Sequence, residues 1–201
     1  MGSRVMHYII AKKLASLLPL SDKSAFCIGG VAVDAGQPKD KAHYYRGAYE
    51  DYTRIIDYEG FIKKKLCNQH KDYFLGYYAH LIADDLWLNG FYMPWLRNRI
   101  NDDPSMASLY HQDFVTLNPL LVKHYGLSAD DICDRMEEMT LPDLPFVPGT
   151  TAKQFMKEIK KDMEILEHQG VNSLNVFTFG QIIGYIETSI DKAHGLIKPY
   201  L

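Results

Sequence analysis

The hydrophobic positions along this chain fall at helical spacing in one segment after another, and no run of strand-like alternation stands out. Residues 4–18 predict an amphipathic helix with Ile10, Leu14, Leu17 and Leu18 on one stripe, stopped by Pro19. "SDKSAFCIGGVAVDAG" offers Ser21 or Asp22 as an N-cap and then becomes an apolar, glycine-broken stretch to which the pattern assigns no element. Residues 35–43 read as a loop, and residues 45–69 as a helix broken at Gly60. A largely buried helix is predicted over 70–89, then a short one between Pro94 and "NDDP", and another over 105–125, bent before Pro119. Ser128 caps a turn that runs to about residue 139, and the three prolines of residues 141–149 make a rigid connector. Two long helices follow, over about 150–168 and 174–196, separated by Gly170. The expected architecture is all-α, one multi-helix domain over residues 1–201, with the proline connector as its one subdivision.

Composition narrows the possible partners. With 47% hydrophobic and 23% charged residues, this is an ordinary globular chain. A net charge of −3 gives no general attraction to nucleic acid or to an anionic membrane, so no nucleic-acid partner is expected. Lys63–Lys65 and the Arg97/Arg99 pair read as solvated faces. Cys27, Cys67 and Cys133 are odd in number and show no CxxC spacing, which fits a reducing, cytoplasmic setting without a disulfide framework. No apolar run is long enough to span a membrane, and "MGSRVMHYIIAKKLASLLPL" does not read as a signal peptide.

The informative residues are the polar ones inside apolar stretches. "GYYAHLIADDLW", residues 76–87, places one histidine and two aspartates in a buried helix, where charge must be paired or bound to a metal. Residues four apart are offset by only about 40°, so His80 and Asp84 share a face while Asp85 points elsewhere. Gly76 and Ala83 on that face would leave room beside His80. Such a pair serves equally as two metal ligands or as a hydrogen-bonded core pair. His7 lies in line with Ile10, Leu14 and Leu18; Asp34 sits in "IGGVAVDAG", and His43 in "KAHYYRG". Five nitrogen and oxygen donors exceed one four-coordinate site, which leaves room for a shared carboxylate and a second metal.

Taken in order, "SRVMHYIIA", "FCIGGVAVDAG", "KAHYYRG" and "GYYAHLIADDLW" resemble the zinc-dependent phospholipase C family. That family includes secreted bacterial phospholipases C and clostridial alpha-toxin, and shares its fold with the P1 nucleases. The resemblance covers residues 4–90 and beyond them only a helical outline. It implies a helical core that holds up to three zinc ions and cleaves phosphoester bonds. By resemblance, Asp34, His43, His80 and Asp84 look like the ligands of one zinc, with Asp84 bridging to a second metal that also takes His7. The chain departs from the family at two points. It has no counterpart of the N-terminal tryptophan, and none of its histidines begins the H-x-x-x-E motif of the remaining zinc.

One or two metals are therefore expected, zinc first, with iron or manganese also compatible with a His/Asp set. A bound zinc brings its water to a pKa of about 7. By the resemblance Asp34 is both a ligand and the candidate general base, and a small phosphoester is the expected substrate. Tyr44, Tyr45 and Arg46, next to His43, are candidate donors to phosphate oxygens, Arg46 being the more natural partner. The alternative is a catalytically degraded scaffold of the same fold. An HD-type phosphohydrolase ranks lower because no His-Asp dipeptide occurs. His111 and Asp113 are expected at the surface; His70, His124, His168, His194, Glu187 and Asp191 read as solvated or helix-end residues.

Overall fold

The computed structural model describes residues 2–65, 69–132, 138–166 and 173–201. In chain order these form α1 (Arg4–Leu17), α2 (Lys23–Ala35), the one-turn α3 (Lys39–Ala42), strands β1 (Tyr45–Arg46) and β2 (Ile55–Ile56), α4 (Tyr58–Lys65), α5 (Lys71–Trp87), α6 (Arg97–Asp102), α7 (Met106–Tyr125), α8 (Gly149–Leu166) and α9 (Phe179–Ile197). The all-α expectation holds for the described residues, apart from one two-stranded hairpin. None of the described helices is long and apolar enough to cross a membrane.

Three helices form the centre. α1 is buried without a break from Val5 to Ala11, α2 from Phe26 to Val33, and α5 from Tyr73 to Asp84. A helix apolar on every side belongs inside the molecule, enclosed by others. α2 runs along α5, α1 and α8 pack on α2, and α9 packs on α5 and α1. Capping fits the sequence at both early ends. Ser3 accepts from Met6 N at 3.2 Å and Asp22 from Ala25 N at 2.9 Å. Leu17, assigned to the buried stripe of the first helix, is instead exposed, while Ile10, Leu14 and Leu18 are buried.

The glycine-broken stretch is helix α2, and its glycines exist for packing. A Cβ on Gly29 would run into the Tyr73 carbonyl, one on Gly76 into the Phe26 carbonyl, and one on Gly30 into the Ala11 side chain. α2 and α5 thus cross backbone to backbone. The room that Gly76 leaves is taken by another group, the α2 backbone. The same close approach brings the Gly30 carbonyl to 2.9 Å from His80 Nδ1.

Three further boundaries differ from the pattern. Residues 45–69 are not one helix. Tyr44, Gly47 and Tyr52 take positive φ, and Asp51 accepts from the Thr53 backbone at 3.1 Å and its hydroxyl at 2.7 Å, so a turn closes β1 onto β2. Gly60 does not break α4; its N–H is bound by Asp57 at 3.0 Å near the helix start. The expected loop over 35–43 contains α3. Pro94 does not separate two helices, because a π-helical stretch, Leu88–Leu96, carries α5 into α6 and accommodates its missing N–H. Residues 133–137 and 167–172, and with them parts of the expected segments before 139 and up to 168, lie outside the described residues, as do Cys67, Cys133 and His168.

Replacing Gly76 with alanine is expected to lower the unfolding free energy by about 1–3 kcal/mol, the usual cost of overpacking a close contact. The check is the urea midpoint, which should fall at unchanged slope. A wild-type midpoint would mean that α2 and α5 can separate freely.

Candidate metal centre

Four elements bring the five sequence-assigned donors together. His7 comes from the first turns of α1, Asp34 from the last turn of α2, His43 directly after α3, and His80 and Asp84 from successive turns of α5. All are buried except Asp34, whose side chain is 16% exposed. His43 Nε2 is 3.3 Å from Asp34 Oδ1 and 3.5 Å from Asp84 Oδ2; His80 Nε2 is 3.9 Å from Asp34 Oδ1 and 3.3 Å from Asp84 Oδ2. The other oxygen of Asp84, Oδ1, faces His7 Nε2 at 3.3 Å. Two donors each about 2.0–2.2 Å from a zinc at a tetrahedral angle lie about 3.3–3.6 Å apart. Most of these separations have that length. His80 is shared by two compact groups of donor atoms, one with His43 and Asp84 and one with His7 and Asp34.

Ring orientation gives the distances their meaning. His80 Nδ1 lies 2.9 Å from the Gly30 carbonyl and His43 Nδ1 2.8 Å from the Lys39 carbonyl. A carbonyl can only accept, so Nδ1 carries the proton in both rings, as in metal-bound histidines braced by backbone oxygens. Nε2 of each ring is then turned toward carboxylate oxygens. Two acceptors 3.3 Å apart repel unless a proton or a cation lies between them. His7 lies flat against His80, ring centroids 3.8 Å apart, and neither of its nitrogens has a hydrogen-bond partner among the described residues.

Electrostatics keeps His7 neutral and both carboxylates anionic, while those carboxylates favour the charged form of His80. Burial, helped by the neighbouring charge of His80, depresses His7 to about 4, so it is neutral at pH 7. Burial works against ionisation of Asp34, but His80, the hydrogen bond from His43 and His7 together hold it far below the usual carboxylate range. Asp84 is likewise held anionic against burial by the positive charge around it, His80 and His7 included. For His80, burial is outweighed by the fields of Asp84 and Asp34, which raise its pKa. Two anionic carboxylates inside an apolar core call for a positive charge.

The remaining expectations divide. Asp85 points out of the cluster, to Lys192 of α9 at 3.2 Å and to Asn89 at 2.9 Å, as the helical phase requires. His111 is at the surface, but Asp113 is not. It is fully buried and accepts from the backbones of Asn175 at 2.8 Å, Val176 at 2.7 Å and Phe177 at 2.9 Å. That carboxylate holds residues 175–177 in a bend just before Thr178, whose capping box with Gln181 starts the last helix at Phe179 and not at 174. Glu187 accepts from the Tyr125 hydroxyl at 2.6 Å. Tyr44 packs against Phe61 and Tyr77, and Arg46, 62% exposed, pairs with Asp57 at 2.5 Å.

Sequence reading missed Tyr185, Gly2 and Arg54. Tyr185 of α9 is buried, with its hydroxyl in the field of Asp84. Gly2 covers the cluster from the other side; a Cβ there would come to 3.3 Å from His7 Nε2 and 3.5 Å from that hydroxyl. The buried hydroxyl of Tyr45 has no partner among the described residues, and its ring stacks on His43 with centroids 6.1 Å apart. Arg54 lies on the Tyr45 ring. A tyrosine at helical spacing carries no mark that separates such a wall from ordinary core.

Compared with protein-family models, curated proteins and solved structures, the chain matches none.

Replacing Asp113 with alanine would strand the N–H groups of residues 175–177. The expected loss is about 3 kcal/mol of stability, read by chemical denaturation, with metal content unchanged. A neutral outcome would show that these N–H groups find other partners.

Proposed function

We propose that this protein is a metal-dependent hydrolase of phosphoester bonds, built on the helical plan of the zinc-dependent phospholipases C and P1 nucleases. The observation that carries the reading is the cluster of Asp34, His43, His80 and Asp84, whose donor atoms fall with His7 into two compact groups that meet at His80, one with His43 and Asp84 and one with His7 and Asp34. Asp84 presents its second oxygen to His7, the posture of a carboxylate shared between two ions. Zinc fits this donor set best, and iron or manganese also suit it.

A divalent ion held here supplies a water acidic enough to attack at neutral pH and a positive charge for phosphate oxygens. Asp34 is the cluster carboxylate that solvent reaches, so it is the group placed to take a proton from that water. Tyr45 is kept protonated by burial and by Asp84, and Tyr185 by the same two causes, so both remain donors beside the cluster. His43 and His80 are held by backbone carbonyls and stay fixed while charge develops.

The test is elemental analysis of protein purified without chelator or added metal, beside the His80→Ala/Asp84→Ala double variant. One or two equivalents of zinc, iron or manganese, lost in the variant, are expected. Chromogenic phosphate monoesters and diesters should then be hydrolysed by wild type only. No metal in a folded wild type, even after reconstitution, would sink the reading. Metal without turnover of either ester would leave a metal-bearing scaffold, the outcome favoured by the absence of the H-x-x-x-E motif.

Binding to the folded state alone also shifts stability. Free metal at a hundredfold excess over its Kd should add about 2.7 kcal/mol, visible as a rise in the melting midpoint that a chelator reverses. An unchanged midpoint would argue that the cluster binds no ion.

A further inference from the structure

The hairpin that follows His43 carries a second feature that the hydrolase reading does not use. Its register pairs Tyr45 with Ile56 and Arg46 with Ile55. Side chains alternate across a strand, so Ile56 and Arg54 share one face of β2 and its extension, while Ile55 takes the other. Ile56 is buried and Ile55 exposed, which identifies the inner face. Arg46, opposite Ile55, therefore points outward, and Arg54 points in.

Arg54 is held there in an unusual setting. Its guanidinium lies 3.9 Å from the Tyr45 ring centroid and 4.6 Å from that of Tyr49, whose side chain also hydrogen-bonds it, so it is flanked by two tyrosines. Tyr45 in turn stacks on His43, which puts Arg54 one aromatic ring away from a cluster donor. The Arg54 side chain is only 10% exposed, and its buried Nε has no hydrogen-bond partner among the described residues. The ion-pair partner it does have, Asp40 at 2.7 Å, is 62% exposed and sits on the one-turn α3. A largely desolvated guanidinium whose counterion is mostly hydrated, and which keeps one donor unused, has capacity for a second anion. A planar fork flanked by two tyrosines is suited to two parallel hydrogen bonds to an oxyanion.

We infer that Arg54, clamped by Tyr45 and Tyr49, is an anion-binding residue that takes a non-bridging phosphate oxygen of the substrate beside the His/Asp cluster. It rests on the hydrolase reading for its substrate and goes beyond it in naming the residue that recognises the phosphate. Asp40 is then the competing anion, a carboxylate that the substrate displaces or shares.

The probe is inorganic phosphate, titrated calorimetrically into wild type, Arg54→Gln and Asp40→Asn, each with metal and after chelator treatment, with metal content measured on every sample. Arg54→Gln is expected to bind phosphate about tenfold more weakly at unchanged metal content, as the loss of a charged bidentate partner requires. Asp40→Asn is expected to bind it more tightly, because the rival carboxylate is gone. A purely structural staple between the hairpin and α3 makes the opposite demand, since both variants break the same pair and should fail alike. Phosphate binding by Arg54→Gln equal to wild type, weakening in Asp40→Asn, or no phosphate binding by wild type in either state would each overturn the assignment. If Arg54→Gln does not fold, Asp40→Asn still decides. A wild type that takes up no metal but loses phosphate binding with Arg54 would defeat the hydrolase reading and leave the anion site standing.

Discussion

Burying carboxylates in an apolar helical core is costly, and the arrangement of this molecule answers to that cost. Asp84 lies in the last turn of α5, at the end of a run buried without a break from Tyr73. It is kept ionised there with Asp34 close by. Three imidazoles surround the two carboxylates, and two of those rings donate Nδ1–H to backbone carbonyls. Their Nε2 atoms and the carboxylate oxygens then face one another, a set that is tolerable only with protons or a cation inside it.

The helices that carry the cluster can meet only because their crossing is made of glycine. Gly29, Gly30 and Gly76 bring α2 within backbone contact of α5, and α1 lies against Gly30 through Ala11. That closeness lets a main-chain carbonyl of α2 brace a histidine of α5, so packing and site geometry are one feature. A Cβ at the crossing would push the brace away before it touched any donor. The catalytic reading and the stability of the core therefore depend on the same few residues.

The hairpin after His43 extends the site by a different rule. Strand alternation selects Arg54 for the inside and leaves Arg46 outside with Asp57. The aromatic stack of His43, Tyr45, Arg54 and Tyr49 then links a cluster donor to a desolvated cation. The surrounding charge is complementary, with anionic carboxylates at the centre and guanidinium at the edge, an order that suits a metal followed by a phosphate.

Sequence by itself determined the helical class, offered Asp22 as one of two caps for the second helix, and marked His7, Asp34, His43, His80 and Asp84 as polar residues in apolar company. These rest on local causes, namely the 3.6-residue period and the cost of a charged group on a buried face. The direction of Asp85 followed from the same helical phase. Only tertiary structure decided the rest. The positive φ of Tyr44, Gly47 and Tyr52 turned an expected helix into a hairpin, and with it Arg54 replaced Arg46 on the inner face. Asp113 went from an expected surface residue to the anchor of residues 175–177 because its partners lie over sixty positions away in the chain. Glycines that looked like breaks in a helix are the contact surface between two helices, since a missing Cβ has meaning only when another backbone comes to lie against it.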